Sequence, residues 1–318
     1  MQDGRGQSLQ DGLFGTRDPL DEMRSALEAT GRFKVLERLA KPATYSPEVP
    51  VPARASTCIY LDVETTGLRS SEDKIIQLGI VAFRYDAFGN VHDVVAELDE
   101  FEDPGRPIPE EITELTGITD EDVRGTRIDD ERVAALLADA SLVVAHNASF
   151  DRPFVEKRFP AFKDVTWACS IEDVNWRSEG FGSSKLEWLA FQHGFFYDSH
   201  RASSDCLAGV RLLAAELPRS QRTAMSKLLE SAARHDVRLW AVGSPFETKD
   251  ALRRRGYRWQ ASAKVWWRDL RADQHEAELE WLTKNVYGGR RRELPFVSFD
   301  GALRYSSRIS DDPASARG

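Results

Sequence analysis

Cysteine is scarce in this chain: Cys58, Cys169 and Cys206 are the whole complement among 318 residues. An odd number, with no pair at zinc-site spacing, argues against both a disulfide framework and a Cys-based metal centre, and the expected compartment is a reducing cytoplasm. Long apolar runs are missing too. Nowhere do about 18 apolar residues follow one another, and Met1–Gly15 has no basic start leading into an apolar stretch, so neither a membrane span nor a secretory signal is expected. Net positive charge is also lacking, the formal balance being −9. That balance reports mainly on solubility and long-range steering, and it leaves room for local positive potential in a groove. The apolar fraction of 41% can furnish a core, and the length suits two domains or one domain with additions.

What the chain does have is acid in places where acid is costly. In Cys58-Ile59-Tyr60-Leu61-Asp62-Val63-Glu64-Thr65-Thr66-Gly67-Leu68, a run rich in β-formers meets two carboxylates and stops at a Thr-Gly turn signal. Strand side chains alternate, so Asp62 and Glu64 emerge on one face while Leu61 and Val63 enter the opposite layer. Two unpaired carboxylates side by side repel, and a divalent cation between them relieves that repulsion. A second apolar strand, Leu142 to Ala145, breaks at His146-Asn147 and leads to Phe150-Asp151, which places Asp151 in the first turn of a helix. A third cluster, His200 to Asp205, precedes Cys206, Ala208, Gly209, Val210, Leu212 and Leu213 at helical spacing. Ala208 and Gly209 are small enough to let that helix approach the sheet closely.

Taken singly, Asp-x-Glu on a strand is more often a salt-bridging pair, His-Asn a turn, and a histidine before a helix a cap. Their joint occurrence in this order carries the information. Asp62-x-Glu64-Thr65-Thr66-Gly67, His146-Asn147-x-x-Phe150-Asp151 and His200-x-x-x-x-Asp205 resemble the three motifs of the DEDD exonuclease family, histidine subtype, whose members include the proofreading epsilon subunit of bacterial DNA polymerase III, RNase T and oligoribonuclease. The likeness spans Ser56 to Leu217. It implies a ribonuclease H-like α/β fold and two Mg²⁺ or Mn²⁺ ions, with Asp62 bridging, Glu64 and Asp205 completing one site and Asp151 holding the other. Oxygen-only ligands suit those ions better than Zn²⁺. The same resemblance makes His200 the general base, a role for which imidazoles are suited near neutral pH. It makes Thr65, Thr66, His146 and Asn147 substrate contacts and Leu68 an apolar wedge against the terminal base.

The surroundings are coherent with that reading. Ile75 to Phe83 and Val91 to Leu98 form an expected hairpin beside the acidic strand, and Pro107-Ile108-Pro109-Glu110-Glu111 opens a helix with residues tolerated at its start. Ser184 and Glu187 have capping-box spacing before a helix leading to the third cluster. The expected organisation is a helical N-terminal segment over 1–41, resembling a hairpin broken at Thr30-Gly31, a proline-rich linker over 42–55, the catalytic α/β domain over 56–217 and a connecting helix over 218–235.

Beyond that helix the composition changes. Residues 236–318 carry 16 Lys+Arg against 12 Asp+Glu, net +4, whereas residues 1–235 carry 27 against 40, net −13. Five of the eight tryptophans lie in this basic part. Its pattern of strand, helix, strand pair, helix and strand predicts a small α+β module over 236–305, followed by a disordered tail over 306–318. Arg258, Trp259, Trp266 and Trp267 are candidates for nucleic-acid contact, since aromatic faces stack bases and cations neutralise phosphates; the bland alternative is that the tryptophans fill a small core.

The expected function is a metal-dependent 3′→5′ exonuclease releasing nucleoside 5′-monophosphates from DNA, alone or with a replication or repair partner protein. An exoribonuclease is the enzymatic alternative, because the motifs do not read the 2′-hydroxyl. A non-catalytic nucleic-acid-binding subunit is the alternative from another class, and the intact acids and His200 argue against it.

Overall fold

The computed structural model describes residues 18–310 and 313. Met1–Gly15 and, of the expected disordered tail, residues 311–312 and 314–318 lie outside the described residues.

The expected N-terminal helical pair is a helix followed by a strand. Helix α1 (Pro19–Ala29) begins at Asp18, whose side chain accepts from the Leu20 N–H, and the chain turns out at Gly31 with φ +68°. It then runs extended into β1 (Glu37–Arg38), which pairs in parallel with β7 (Phe195–Phe196). The reason is packing. No residue of α1 is buried, so a second helix would gain little by folding back on it, whereas Leu39 and Tyr45 pack against the main core when the chain stays extended.

The region expected to carry the motifs is a five-stranded mixed sheet in the order β4-β3-β2-β5-β6. β2 (Ser56–Thr65), β3 (Ile75–Tyr85) and β4 (Val91–Phe101) form an antiparallel meander, while β5 (Ala140–Ala145) runs parallel to β2 and β6 (Trp167–Cys169) parallel to β5. Three short helices, α2 (Glu110–Thr116), α3 (Asp120–Val123) and α4 (Asp130–Ala138), connect the meander to β5. The central strand sorts its side chains as period two demands: Cys58 and Tyr60 enter one apolar cluster, Ile59, Leu61 and Val63 another. On the first face lie α6 (Leu186–Gln192), α7 (Ala202–Ala214) and α8 (Ala224–Ala232); Phe154 and Val155 of α5 (Ala148–Arg158) lie on the second. Helices thus flank both faces of the sheet, the α/β layering implied by the motifs. The connecting helix is shorter than the expected 218–235, because Glu216 bridges Thr223 and that threonine then caps α8. All three cysteines are free and buried.

The C-terminal module is a second, antiparallel sheet of order β11-β8-β10-β9, built from β8 (Asp236–Trp240), β9 (Arg258–Gln260), β10 (Val265–Arg271) and β11 (Phe296–Phe299). With α9 (Lys249–Arg254) and α10 (His275–Asn285) it encloses its own core of Val237, Leu239, Leu252, Tyr257, Trp266 and Leu282, among others. After β11 the chain returns across the first sheet's flank. Arg152, wholly buried in α5, donates to the carbonyls of Gly301, Ala302 and Arg304, and the Tyr305 hydroxyl donates to Asp173 at 2.8 Å. The expected tail therefore begins too early at Ser306: Arg308 pairs with Glu156 at 3.0 Å and Ile309 is buried. Its charge pattern suggests a solvated stretch, but a buried Glu156 needs those guanidinium donors. Among the described residues no helix is long and apolar enough to cross a membrane.

Candidate active site

Asp62 and Glu64 sit at the end of β2, on the face carrying Cys58 and Tyr60 and directly opposite Gly79 and Gln77 of β3. Helix α7 lies against this face because two glycines admit it. A Cβ on Gly79 would come within 2.4 Å of the Ala202 backbone, and one on Gly209 within 2.0 Å of the Tyr60 ring. The small residues read from the sequence as permitting a close approach do so here, and the approach delivers Asp205. Its Oδ2 accepts from the Arg201 N–H at 3.1 Å and its Oδ1 from the Tyr197 hydroxyl at 3.0 Å, fixing the rotamer.

One carboxylate oxygen each of Asp62, Glu64 and Asp205 lies within 4.8 Å of the others. The fourth acid, Asp151, rises from the first turn of α5, is buried, and accepts the Val63 N–H at 3.2 Å, so it is tied to the strand between the first two. Segments separated by almost 150 residues in sequence thus converge.

The electrostatics are those of like charges crowded together. Burial, followed by the charges of Asp151, Asp205 and Glu64, pushes the Asp62 carboxyl well above the ordinary range. Burial and the neighbouring Asp205 raise Glu64 to about 7, against the opposing pull of Arg201. Burial raises Asp151 to about 8 despite its backbone hydrogen bonds, and Asp205 is also raised, chiefly by burial. The carboxylates of Asp62 and Glu64 have no hydrogen-bond or ion-pair partner among the described residues. Partly covered acids crowded in this way favour a cation between them. Oxygen donors at this mutual spacing fit a hard divalent ion, so the residues present could hold one.

His200 lies in the loop just before α7 with φ +61°, a left-handed conformation that is costly for a side chain with a Cβ. It is about half exposed, and its Nε2 stands 3.8 Å from Glu187 Oε1. Glu187 therefore faces the histidine and does not close the expected capping box; α6 has no side-chain cap, and the Ser184 carbonyl is used elsewhere.

That carbonyl accepts from Nε2 of His146 at 2.9 Å, while Nδ1 of the same ring meets the Ser170 hydroxyl at 2.8 Å. Ser170 also bonds the Tyr60 hydroxyl at 2.9 Å. Burial pushes His146 down to about 4, so the ring is neutral and serves as a brace between the end of β5 and two loops. Both nitrogens are committed within the protein, and the structure offers neither to a substrate. Asn147 is exposed, adopts φ +76°, and accepts from the Ser149 hydroxyl.

The Thr65 hydroxyl donates to the Gly67 carbonyl at 2.6 Å, and Thr66 Oγ1 is held by Lys74 N–H and Arg106, so both shape the loop after β2. On that loop Leu68 is 82% exposed. In the C-terminal module Trp266 belongs to the buried core, whereas Trp259 is half exposed, Arg258 is exposed, and Trp267 is partly covered. Motif spacing missed Tyr197 and Ser170; only the fold shows what they hold.

Residues 59–213 match the family model described as Exonuclease, of the RNase T type. Among curated relatives, DNA polymerase III PolC-type from Streptococcus suis (strain 98HAH33) is 37% identical over 187 residues, covering 54% of this chain and 12% of the relative. The corresponding protein of Streptococcus pyogenes serotype M1 is 38% identical over 123 residues, 37% of this chain and 8% of that one. The chain thus spans about an eighth or less of the length of these relatives. Among solved structures, Exonuclease X in complex with 5′ overhanging duplex DNA overlaps with a TM-score of 0.40 at 22% identity, covering 53% of this chain and 99% of that one. E. coli Exonuclease I in complex with a dA16 oligonucleotide overlaps with a TM-score of 0.41 at 19% identity, covering 58% of this chain and 48% of that one. Residues 59–213, in which Asp62, Glu64 and Asp205 come together, thus match an exonuclease family model of the RNase T type.

Proposed function

We propose that this protein is a metal-dependent 3′→5′ exonuclease acting on single-stranded DNA ends and releasing nucleoside 5′-monophosphates. The observation that carries this reading is the meeting of Asp62, Glu64 and Asp205 within 4.8 Å, with Asp151 fastened beside them through Val63 N–H. Asp62, Glu64 and Asp205 are the residues that would hold a divalent ion, with Asp151 contributing to a second. Mg²⁺ or Mn²⁺ bound there supplies an activated water and neutralises charge on the phosphate.

The chain's own residues do the rest. His200 takes the proton of the attacking water, a role supported by its half-exposed imidazole in the loop before Asp205. Glu187 orients that imidazole. Tyr197 keeps Asp205 turned toward the other acids. Leu68, left uncovered on the loop after β2, packs on the terminal base, and the backbone of Thr65 and Thr66 holds the terminal sugar. The left-handed backbone at His200 is the kind of strain that persists where a side chain must be aimed. Relatives named as DNA polymerases favour DNA over RNA as substrate and a role beside replication or repair.

The test is incubation of purified protein with 5′-labelled single-stranded DNA and RNA of one sequence, with Mg²⁺ or with a chelator. A ladder shortened from the 3′ end of the DNA, abolished by the chelator, is expected. Release of the 5′ label as a mononucleotide, or cleavage that persists in the chelator, would overturn the reading; preferential RNA degradation would replace DNA by RNA.

A further inference from the structure

Between the catalytic domain and the C-terminal module lies a cleft of about 550 Å³, within the range of nucleotide-sized ligands. Six arginines line it: Arg234, Arg238, Arg258, Arg268, Arg271 and Arg304, against three carboxylates. The arginines outnumber the lining carboxylates two to one, and two of them are also paired just outside the lining, Arg268 with Glu278 and Arg271 with Asp273. Some of this charge is spent internally. Asp236 is held by Arg234 and Arg304, and Asp269 takes two bonds from Arg238 at 2.8 and 2.9 Å. Arg258 is different. It is exposed, has no hydrogen bond or ion pair among the described residues, and stands 5.5 Å from the centre of the Trp267 ring. Arg238 is 4.1 Å from the same ring, so the indole is flanked by two cations, of which Arg258 presents its N–H donors to the cleft.

The cleft is joined to the acid cluster by a single helix. Ser149 and Pro153 of α5 line its wall. They are four residues apart and share a face, while Asp151, two residues from each, points to the other side. A strand lying in the cleft is therefore about one helix diameter, roughly 10 Å, from the acids.

We propose that this cleft binds the sugar-phosphate backbone of the single-stranded DNA being processed, as a second contact beyond the site of cleavage. It rests on the exonuclease reading for the identity of the strand, but not for the binding itself. Guanidinium groups beside an aromatic wall suit phosphates interrupted by bases, which a fully solvated basic patch would not select. Trp259 and Trp266 have no part in it, the first lying outside the lining and the second buried in the module core.

The experiment uses the full chain with Arg258→Glu, Arg271→Glu and, as a control of equal charge change outside the cleft, Arg54→Glu; all three positions are exposed. Binding of 5′-fluorescein-(dT)20 is read by anisotropy in EDTA across a salt series. Turnover of thymidine 5′-(p-nitrophenyl phosphate), which is small enough to occupy only the acid site, is read with Mn²⁺. The cleft predicts about ten-fold weaker oligonucleotide binding in each cleft variant. The log-log salt slope should fall by about 0.7 for each phosphate no longer neutralised, with mononucleotide turnover and the Arg54→Glu control unchanged. Unaltered affinity in both cleft variants would overturn the proposal, as would an equal loss in the Arg54→Glu control or a parallel loss of mononucleotide turnover. Weakened binding in a protein that hydrolyses nothing, even as wild type, would uphold the cleft and sink the exonuclease reading.

Discussion

Replacing Glu64 by Gln should make the metal-free protein more stable and the enzyme inactive. The side chain is kept in shape while its charge is removed from among Asp62, Asp151 and Asp205. In the folded chain the Glu64 carboxyl is raised from 4.5 to about 7, first by burial and then by Asp205. A carboxyl raised on folding weakens the fold wherever it must ionise: the penalty is absent below about pH 4.5 and complete above about pH 7. That displacement corresponds to ~3 kcal/mol, and because Glu64 is only partly covered, about 2 kcal/mol is the expected gain at pH 8. For a chain of this size this raises Tm by about 3 °C. The assay is thermal unfolding of wild type and Glu64→Gln in EDTA at pH 5 and pH 8. The variant should lead at pH 8 and the difference should shrink by pH 5, while millimolar Mg²⁺ should stabilise wild type and do much less for the variant. A variant no more stable than wild type at pH 8, or one that gains as much from Mg²⁺, would refute the claim that Glu64 is a charge waiting for a cation.

Asp62→Ala and His200→Ala should each lower turnover on a labelled oligonucleotide, the histidine variant by about 10²–10⁴-fold, without loss of the folded circular-dichroism spectrum. Tyr197→Phe removes a hydrogen bond to a carboxylate and should reduce kcat about ten-fold while KM stays close to wild type, since the hydroxyl positions Asp205 and touches no substrate. Gly209→Ala places a methyl inside the Tyr60 ring and should cost about 1–3 kcal/mol in urea unfolding, with activity falling as Asp205 is pushed from the sheet. Arg152→Ala strips Glu156 of its buried partner and three carbonyls of their donor; a loss of about 3–5 kcal/mol and easier proteolysis after β11 are expected.

Much of the site was legible in the linear chain because its rules are local. Period-two alternation along β2 decides that Asp62 and Glu64 share a face, and the break at His146-Asn147 decides that Asp151 opens a helix. The module at the C-terminus was readable for the same reason, each element announcing its own period and its own turn. What failed was reading beyond one element. The second half of the N-terminal segment has helical spacing, yet it becomes a strand because the edge it pairs with, Phe195–Phe196, lies more than 150 residues away. Ser306 to Ile309 looks solvated until Glu156 is found buried beneath it.

By itself the sequence determined which acids and which histidine are the candidates and in which kind of element each sits, since propensity and alternation act over a few neighbouring residues. Tertiary structure alone decided that the carboxylates meet, that His146 braces the scaffold, and that Trp266 is core while Arg258 faces an open cleft. Those outcomes depend on which distant backbones can approach, through Gly79 and Gly209 in the catalytic domain and through Arg152 at the seam. The local pattern marks Gly209 as small enough for a close approach, but does not record which ring it meets.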